Sequence, residues 1–187
     1  MNKARYDAVA ITLHWVIALG ILAQIGVGWW MASFHLPIHL KFVIYQLHKS
    51  VGITILFAVA ARVLWRLTHR PPPLPATMPA LERKAATGAH HLLYLAMLAI
   101  PFTGWAVVSL SPYNIPTVLY GLLPWPDLPW LSALADKAAI EPWAEDAHAW
   151  LAYGALGLVG LHALAALRHH FLLRDGMLRR MLPLFKE

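Results

Sequence analysis

The chain has 187 residues, of which 59% are hydrophobic and only 13% charged, against roughly 25% charged in an average soluble domain. This composition suits a bilayer, and the absence of cysteine excludes disulfides, thiolate-ligated haem, iron–sulfur clusters and cysteine-type zinc sites. The formal charge of +6 raises the question of a polyanionic partner, which its distribution along the chain answers below.

Four apolar segments reach the ~20 residues that a helix needs to cross a ~30 Å hydrocarbon core. They cover residues 8–31, 42–64, 91–111 and 147–167. The sequence therefore predicts an all-α integral membrane protein, a bundle of four transmembrane helices in one domain over residues 1–187. The start, MNKARYDAVAITLHW, is basic but lacks a small-residue cleavage site, so it reads as a retained first helix. A short link containing Pro37 joins the first two spans. Pro71, Pro72 and Pro73 must stop the second span near Thr68, because proline cannot continue a helix. The long connection 112–146 is rich in Pro, Trp and Tyr (YGLLPWPDLPW). Trp and Tyr favour the headgroup layer, so this loop is expected to lie on the membrane surface, with a short interfacial helix around 131–139.

Lys and Arg set the orientation. With four spans, one side receives Lys3, Arg5, Arg62, Arg66, Arg70, Arg83, Lys84, Arg168, Arg174, Arg179, Arg180 and Lys186. The other receives Lys41, Lys49 and Lys137 beside five acids, Asp127, Asp136, Glu141, Glu145 and Asp146. Twelve against three places both termini in the cytoplasm under the positive-inside rule. The basic balance is thus a topology signal that meets anionic lipid; it is no nucleic-acid footprint.

Eleven histidines carry the functional content. His148 and His162 lie fourteen residues apart in the fourth span, which is ~21 Å along a helix axis and within roughly 40° of one face. Ionisable rings in a membrane-length apolar helix are costly and point to function, and imidazole is the usual protein ligand of haem iron. His14 enters the first span from the cytoplasm at the depth of His162, and His48 opens the second span from the outer side at the depth of His148. Depth therefore pairs His14 with His162 and His48 with His148, since cross-pairing would have to bridge ~20 Å. The pattern reads as two stacked bis-histidine haems.

The fourteen-residue step recurs on the other helices. From His14 it reaches Gly28, from His48 it reaches Arg62, and from His90 it reaches Gly104. Glycine lets a helix approach a flat macrocycle, as Gly154, Gly157 and Gly160 would on the fourth helix, although ordinary small-residue packing explains any one of them as well. Arg62 is placed to meet a propionate of the inner haem. The adjacent pairs His90–His91 and His169–His170 cannot bind one iron from the same side, because neighbours on a helix diverge by roughly 100°. They sit at the cytoplasmic interface, where a quinone and its protons could be handled, or they simply meet water and headgroups. Of these, His169 lies seven residues beyond His162 and near its stripe. His169 is therefore the expected principal quinone contact, with His90, His91 and Arg168 beside it. Trp105 and the aromatic loop are the alternative at the outer haem. His35 and His39 are separated by Pro37, which breaks the helix that a metal pair would need.

LHW at His14, LHKSVG at His48, PFTGW in the third span and HAWLAYGALGLVGLHALAALRHHFLLRDGMLRRMLP at the end together resemble the bacterial cytochrome b561 family over nearly the whole chain. The resemblance implies a four-helix protein of the bacterial inner membrane holding two b haems, with ligands at His14, His48, His148 and His162. Family members are quinone-linked electron carriers, one of them a superoxide oxidase that passes electrons to ubiquinone.

Two filled axial positions leave outer-sphere electron transfer as the natural reaction. The sharpest reading is superoxide oxidation at the periplasmic side coupled to ubiquinone reduction. Lys49 and Lys41 are then the available cations to steer the anion, against the five acids of the same face. A haem-bearing membrane anchor that relays electrons from a periplasmic dehydrogenase or hydrogenase is the alternative. A transporter or scaffold whose histidines bind protons or metal is a third.

Overall fold

The computed structural model describes residues 5–75 and 77–183; Lys3 and Lys186, two of the basic residues used for orientation, lie outside them. Four helices are long and apolar enough to cross a membrane. The first, α1, is Ala8–Ser33. Asp7 caps it by accepting the Ala10 N–H at 2.9 Å, which satisfies one of the donors that a helix start leaves free. The second, α2, is Ile38–Thr68, bounded by Pro37 and by the prolines after His69. The third, α3, is Ala80–Leu110 and contains Pro101. The last long helix is α5, Lys137–Arg168, and a π-helical turn continues it over His169–Leu173.

Three of these helices begin well before their apolar segments. Polar turns propagate a helix that the membrane span has already nucleated, because each added residue gains a backbone hydrogen bond at little cost. In α5 the start lies ten residues ahead of the expected 147. Lys137 to Asp146 precede the apolar segment, and Glu141, Glu145 and Asp146 lie in these added turns.

The helix α1 lies along α2, α3 lies along α5, and α2 joins the two pairs. A small buried core of Ile17 and Ile21 from α1 with Ile55 and Val59 from α2 fixes the first contact. Leu19, Leu64, Leu161 and Leu164 point outward, each more than half exposed, as expected of a lipid-facing surface. Four spans bring both termini to one end of the bundle, called here the terminal end. There the Tyr6 N–H donates to the Arg180 carbonyl at 3.3 Å, and the Trp15 indole donates to the Met181 carbonyl at 2.7 Å. The chain after α5 thus folds back under α1.

The loop between α3 and α5 departs from expectation. It forms an antiparallel hairpin of β1, Thr117–Leu119, and β2, Leu123–Trp125, followed by a single helical turn, α4, at Pro129–Ser132. The interfacial helix expected at 131–139 is therefore corrected: Pro129 starts it early, and residues from Lys137 onward belong to α5. The hairpin also does not simply cover the outer surface. It runs along α2, where Gln46 donates to the Pro116 carbonyl (2.9 Å) and accepts the Val118 N–H (3.4 Å). Ser50 Oγ accepts the Tyr120 N–H at 3.0 Å, and Thr54 shares a 2.7 Å hydrogen bond with the Tyr120 hydroxyl. Thr54 lies six residues past His48, ~9 Å further toward the bundle centre. Hairpin backbone beside a membrane-length helix needs protein partners, which Gln46 and Ser50 supply, while Thr54 meets the Tyr120 side chain.

Candidate functional site

The helices bring the four central histidines together as two pairs. His14 on α1 faces His162 on α5 with ring centroids 6.4 Å apart. His48 on α2 faces His148 on α5, also at 6.4 Å. One metal shared by two imidazoles at ~2.0 Å per bond, with each nitrogen ~1.1 Å from its ring centre, needs centroids ~6.2 Å apart. Both gaps have the right size for an iron.

The loop-end pair shows how local sequence prepares the site. Pro101 in α3 supplies no N–H to the helical ladder. Two residues later, Thr103 Oγ1 donates to the Ile100 carbonyl at 2.9 Å and lies 3.1 Å from Nδ1 of His148. A hydroxyl has one proton, so in this arrangement it accepts from Nδ1–H and leaves the Nε2 lone pair free for a metal. Gly104 then gives the ring room: a Cβ there would stand 3.0 Å from Cε1 of His148. Trp105 closes the PFTGW motif by donating to the Pro126 carbonyl at 2.9 Å. On the facing side, a Cβ at Gly28 would lie 3.5 Å from Cε1 of His48. Gly28 and Gly104 thus make space for imidazoles, whereas Gly154, Gly157 and Gly160 have open space before them. Nδ1 of His48 is buried without a hydrogen-bond partner. A buried polar atom left unpaired is costly.

Gln24 and Thr103 were not singled out from the sequence. Gln24 Nε2 donates to the His48 carbonyl at 2.7 Å and so fixes the His48 turn of α2. Its signal was available as a lone amide in an apolar span.

At the terminal end, Arg62 donates to the Ala10 carbonyl at 3.1 Å and to the Tyr94 hydroxyl at 3.2 Å, and its third contact is His14 Nδ1 at 3.4 Å. A guanidinium only donates, so this last contact uses Nδ1 as an acceptor. A metal bond at Nε2 would put the ring proton on Nδ1 and release that arm of Arg62. His90 stands against His162 with centroids 5.5 Å apart. His91 is exposed and, with His90, Arg66, Thr87 and Tyr94, lines a cavity of about 230 Å³.

His169 does not present a free nitrogen. Its Nδ1 meets Asp175 Oδ2 at 2.5 Å and its Nε2 meets Glu82 Oε1 at 3.2 Å, while Arg168 holds the same Glu82 oxygen at 2.6 Å. Both ring nitrogens of His169, the expected principal quinone contact, and the neighbouring Arg168 thus face carboxylates. At the loop end, Lys49 is half-buried within the field of Asp127, and Lys41 lies near Glu145. His35 and His39 are exposed, and among the described residues no three metal-binding side chains cluster.

A family model described as prokaryotic cytochrome b561 matches residues 5–184. The chain belongs to the prokaryotic cytochrome b561 family. It is 34% identical to a protein named cytochrome b561 homolog 2 from Escherichia coli, over 95% of this chain and 91% of that protein. A probable superoxide oxidase CybB from Yersinia pestis is 30% identical over 98% of both chains. A cytochrome b562 of Cereibacter sphaeroides is 26% identical over 95% of this chain and 94% of that one. Membership makes the chain a membrane electron-transfer protein, implies haem b, and agrees with a multi-pass bacterial membrane location.

Proposed function

We propose that this cytochrome b561 binds two b haems, one between His48 and His148 and one between His14 and His162. In this reading it carries electrons from the periplasmic face to ubiquinone at the cytoplasmic face of the inner membrane. The observation that carries the reading is the equal 6.4 Å separation of two histidine pairs at two depths of the bundle. A haem held by each histidine pair would supply one-electron transfer. The chain's residues hold and orient. Thr103 and Gly104 set the His148 ring, Gln24 sets the His48 turn, and Arg62 is placed to neutralise a propionate. The excess of basic residues at the terminal end supports a cytoplasmic placement of that end.

The donor in the sharpest form of the proposal is superoxide, which fits the name of the Yersinia relative. Ubiquinone then accepts the electrons at the terminal end, beside the cavity lined by His90 and His91. Protein anchored in lipid and supplied by a periplasmic dehydrogenase or hydrogenase is the second reading. The acids Asp127 and Glu145, whose charges act on Lys49 and Lys41, favour it, since they offset the steering cations.

Anaerobically oxidised holoprotein mixed with a superoxide source tests the first reading. Haem reduction is expected, and added ubiquinone should return the haems to the oxidised state. No reduction by superoxide, together with a redox protein that co-purifies from native membranes, would establish the relay instead. His48→Ala and His148→Ala should remove one and the same haem, and His14→Ala and His162→Ala the other. Removal of a single haem by His14→Ala and His48→Ala alike would overturn the pairing.

A further inference from the structure

The two histidine pairs differ in what surrounds their ring nitrogens. At the loop-end pair the groups close to His148 Nδ1 are acceptors. Thr103 bends back to donate its only hydroxyl proton to the Ile100 carbonyl at 2.9 Å, a bond open to Ser and Thr within helices. Its oxygen is then left to accept from His148 Nδ1, 3.1 Å away, and the Ile100 carbonyl acts on the same ring. At the terminal-end pair the neighbour is a cation. Arg62 reaches His14 Nδ1 at 3.4 Å, and its charge acts on both His14 and His162. Lys49 follows His48 in the sequence, but it lies in the field of Asp127, which offsets its charge.

Resting on the two-haem reading above, we propose that Thr103 lowers the reduction potential of the haem held by His48 and His148 below that of the haem held by His14 and His162. Electrons then run downhill from the loop end to the terminal end. With iron on Nε2, the His148 ring proton is on Nδ1 and is donated to Thr103 Oγ1. A ligand that donates this hydrogen bond becomes more basic, and a more basic ligand favours the more positive, ferric iron. Hydrogen bonding behind an axial ligand is one of the levers that set a haem potential. Arg62 acts in the opposite sense at the other pair, since a fixed positive charge favours the less positive, ferrous iron. In the step so favoured, one electron leaves the loop-end iron, which is oxidised, and reduces the terminal-end iron; no proton moves with it. Thr103 acts through the ligand, as a positioning residue.

The test is a redox titration of the purified holoprotein, followed by its visible spectrum and accompanied by the haem-to-protein ratio. The parent should show two waves, and His148→Ala, which keeps the terminal-end haem, should show the higher one alone. Thr103→Val replaces the hydroxyl with a methyl group of similar size, and Gly104 still leaves room for the ring. This variant should keep both haems, raise the lower wave and leave the higher one in place, so that the gap narrows. Thr103→Ser restores the hydroxyl without the methyl group and should hold the lower wave at the parent position, which a packing role would not do. Unmoved waves in Thr103→Val would overturn the inference, and so would the lower wave surviving in His148→Ala. A shift that Thr103→Ser shares with Thr103→Val would assign the effect to packing and overturn it too. If Thr103→Val loses the loop-end haem, Thr103→Ala carries the same comparison. Loss from both variants would overturn the inference, because the hydroxyl would then hold the haem and not tune it. A parent with fewer than two haems per chain overturns the two-haem reading itself. Two haems in the parent, with waves that Thr103→Val does not move, overturn this inference alone.

Discussion

Gly104 of α3 sits so close to His148 of α5 that a methyl group on its Cα would stand 3.0 Å from the ring's Cε1 and 3.4 Å from Nδ1. The glycine therefore sets where the imidazole can be. Gly104→Val should displace the ring from its 6.4 Å partnership with His48 and remove the loop-end haem while the terminal-end haem stays. The helix itself should gain, since glycine costs ~1 kcal/mol against better helix formers, so haem loss would not come from unfolding. Haem-to-protein ratio checks this, with half of the bound haem expected to go. Gly88→Ala, which meets nothing within 4 Å, should leave the ratio unchanged.

Arg62 ties α2 to α1 and α3 through Ala10 and Tyr94 and reaches His14 with its remaining arm. A positive charge beside a haem favours the less positive, reduced iron. Arg62→Ala should therefore lower the potential of the terminal-end haem by tens of millivolts, which is the scale of one charge pair at an effective dielectric of ~20. Arg62→Lys keeps the charge but loses the fork that spans three acceptors, so it should fall between the two. Redox titration of the purified protein separates them. Equal potentials in all three would reduce Arg62 to a brace between helices.

The spans and the histidine pairs were legible because both follow from one-dimensional spacing. A run of apolar residues measures the bilayer, Pro71–Pro73 ends a helix wherever it is, and a fourteen-residue step on one helix fixes two depths. The hairpin was not legible. Its turn places Tyr120 at φ 53° and Gly121 at φ 72°, a primed turn that glycine signals but that a tyrosine gives little reason to expect. Its anchors, Gln46, Ser50 and Thr54, form a polar row on α2 that reads as meaningful only once a partner strand is known. The pairing of His169 was hidden for a similar reason. The seven-residue step from His162 placed it near the ligand stripe, but Glu82 is remote in sequence, and the contact exists because the start of α3 lies beside the end of α5.

Asp175 anchors the chain after α5, and its carboxyl is held below the ordinary value of 3.8. Burial pushes it upward, but the Met177 N–H, the hydrogen bond to His169 and the nearby charges of His169 and Arg180 prevail. A depressed carboxyl contributes stability that is fully present above 3.8 and is lost as pH falls through the lower folded value. The segment from Asp175 to Met181 should thus stay docked at neutral pH and release only in acid, below the usual carboxylate range. Hydrogen exchange of that segment, including the Met177 N–H that Asp175 accepts at 3.0 Å, follows the release. In Asp175→Asn the segment should exchange faster at neutral pH, and the acid step should disappear.

The last prediction concerns the hairpin along α2. Ser50 is fully buried; its hydroxyl donates to the Gln46 carbonyl at 2.7 Å and accepts the Tyr120 N–H at 3.0 Å. In Ser50→Ala the helix keeps its own backbone bonds, but the Tyr120 N–H is left unpaired at membrane depth. A buried donor without a partner costs ~1–3 kcal/mol, and the hairpin can recover that cost by lifting away toward water. Because the chain has no cysteine, a single introduced thiol can report the motion. Thr117 on β1 is 4% exposed, so Thr117→Cys should react slowly with a water-soluble maleimide in the parent. Adding Ser50→Ala should raise the labelling rate by roughly 5- to 150-fold, the equivalent of that energy when opening is fast and reversible. Equal rates in the two backgrounds would show that the hairpin is held by its side-chain packing, such as Trp125 against Phe57 and Trp105, and that the Ser50 hydroxyl contributes nothing to its docking.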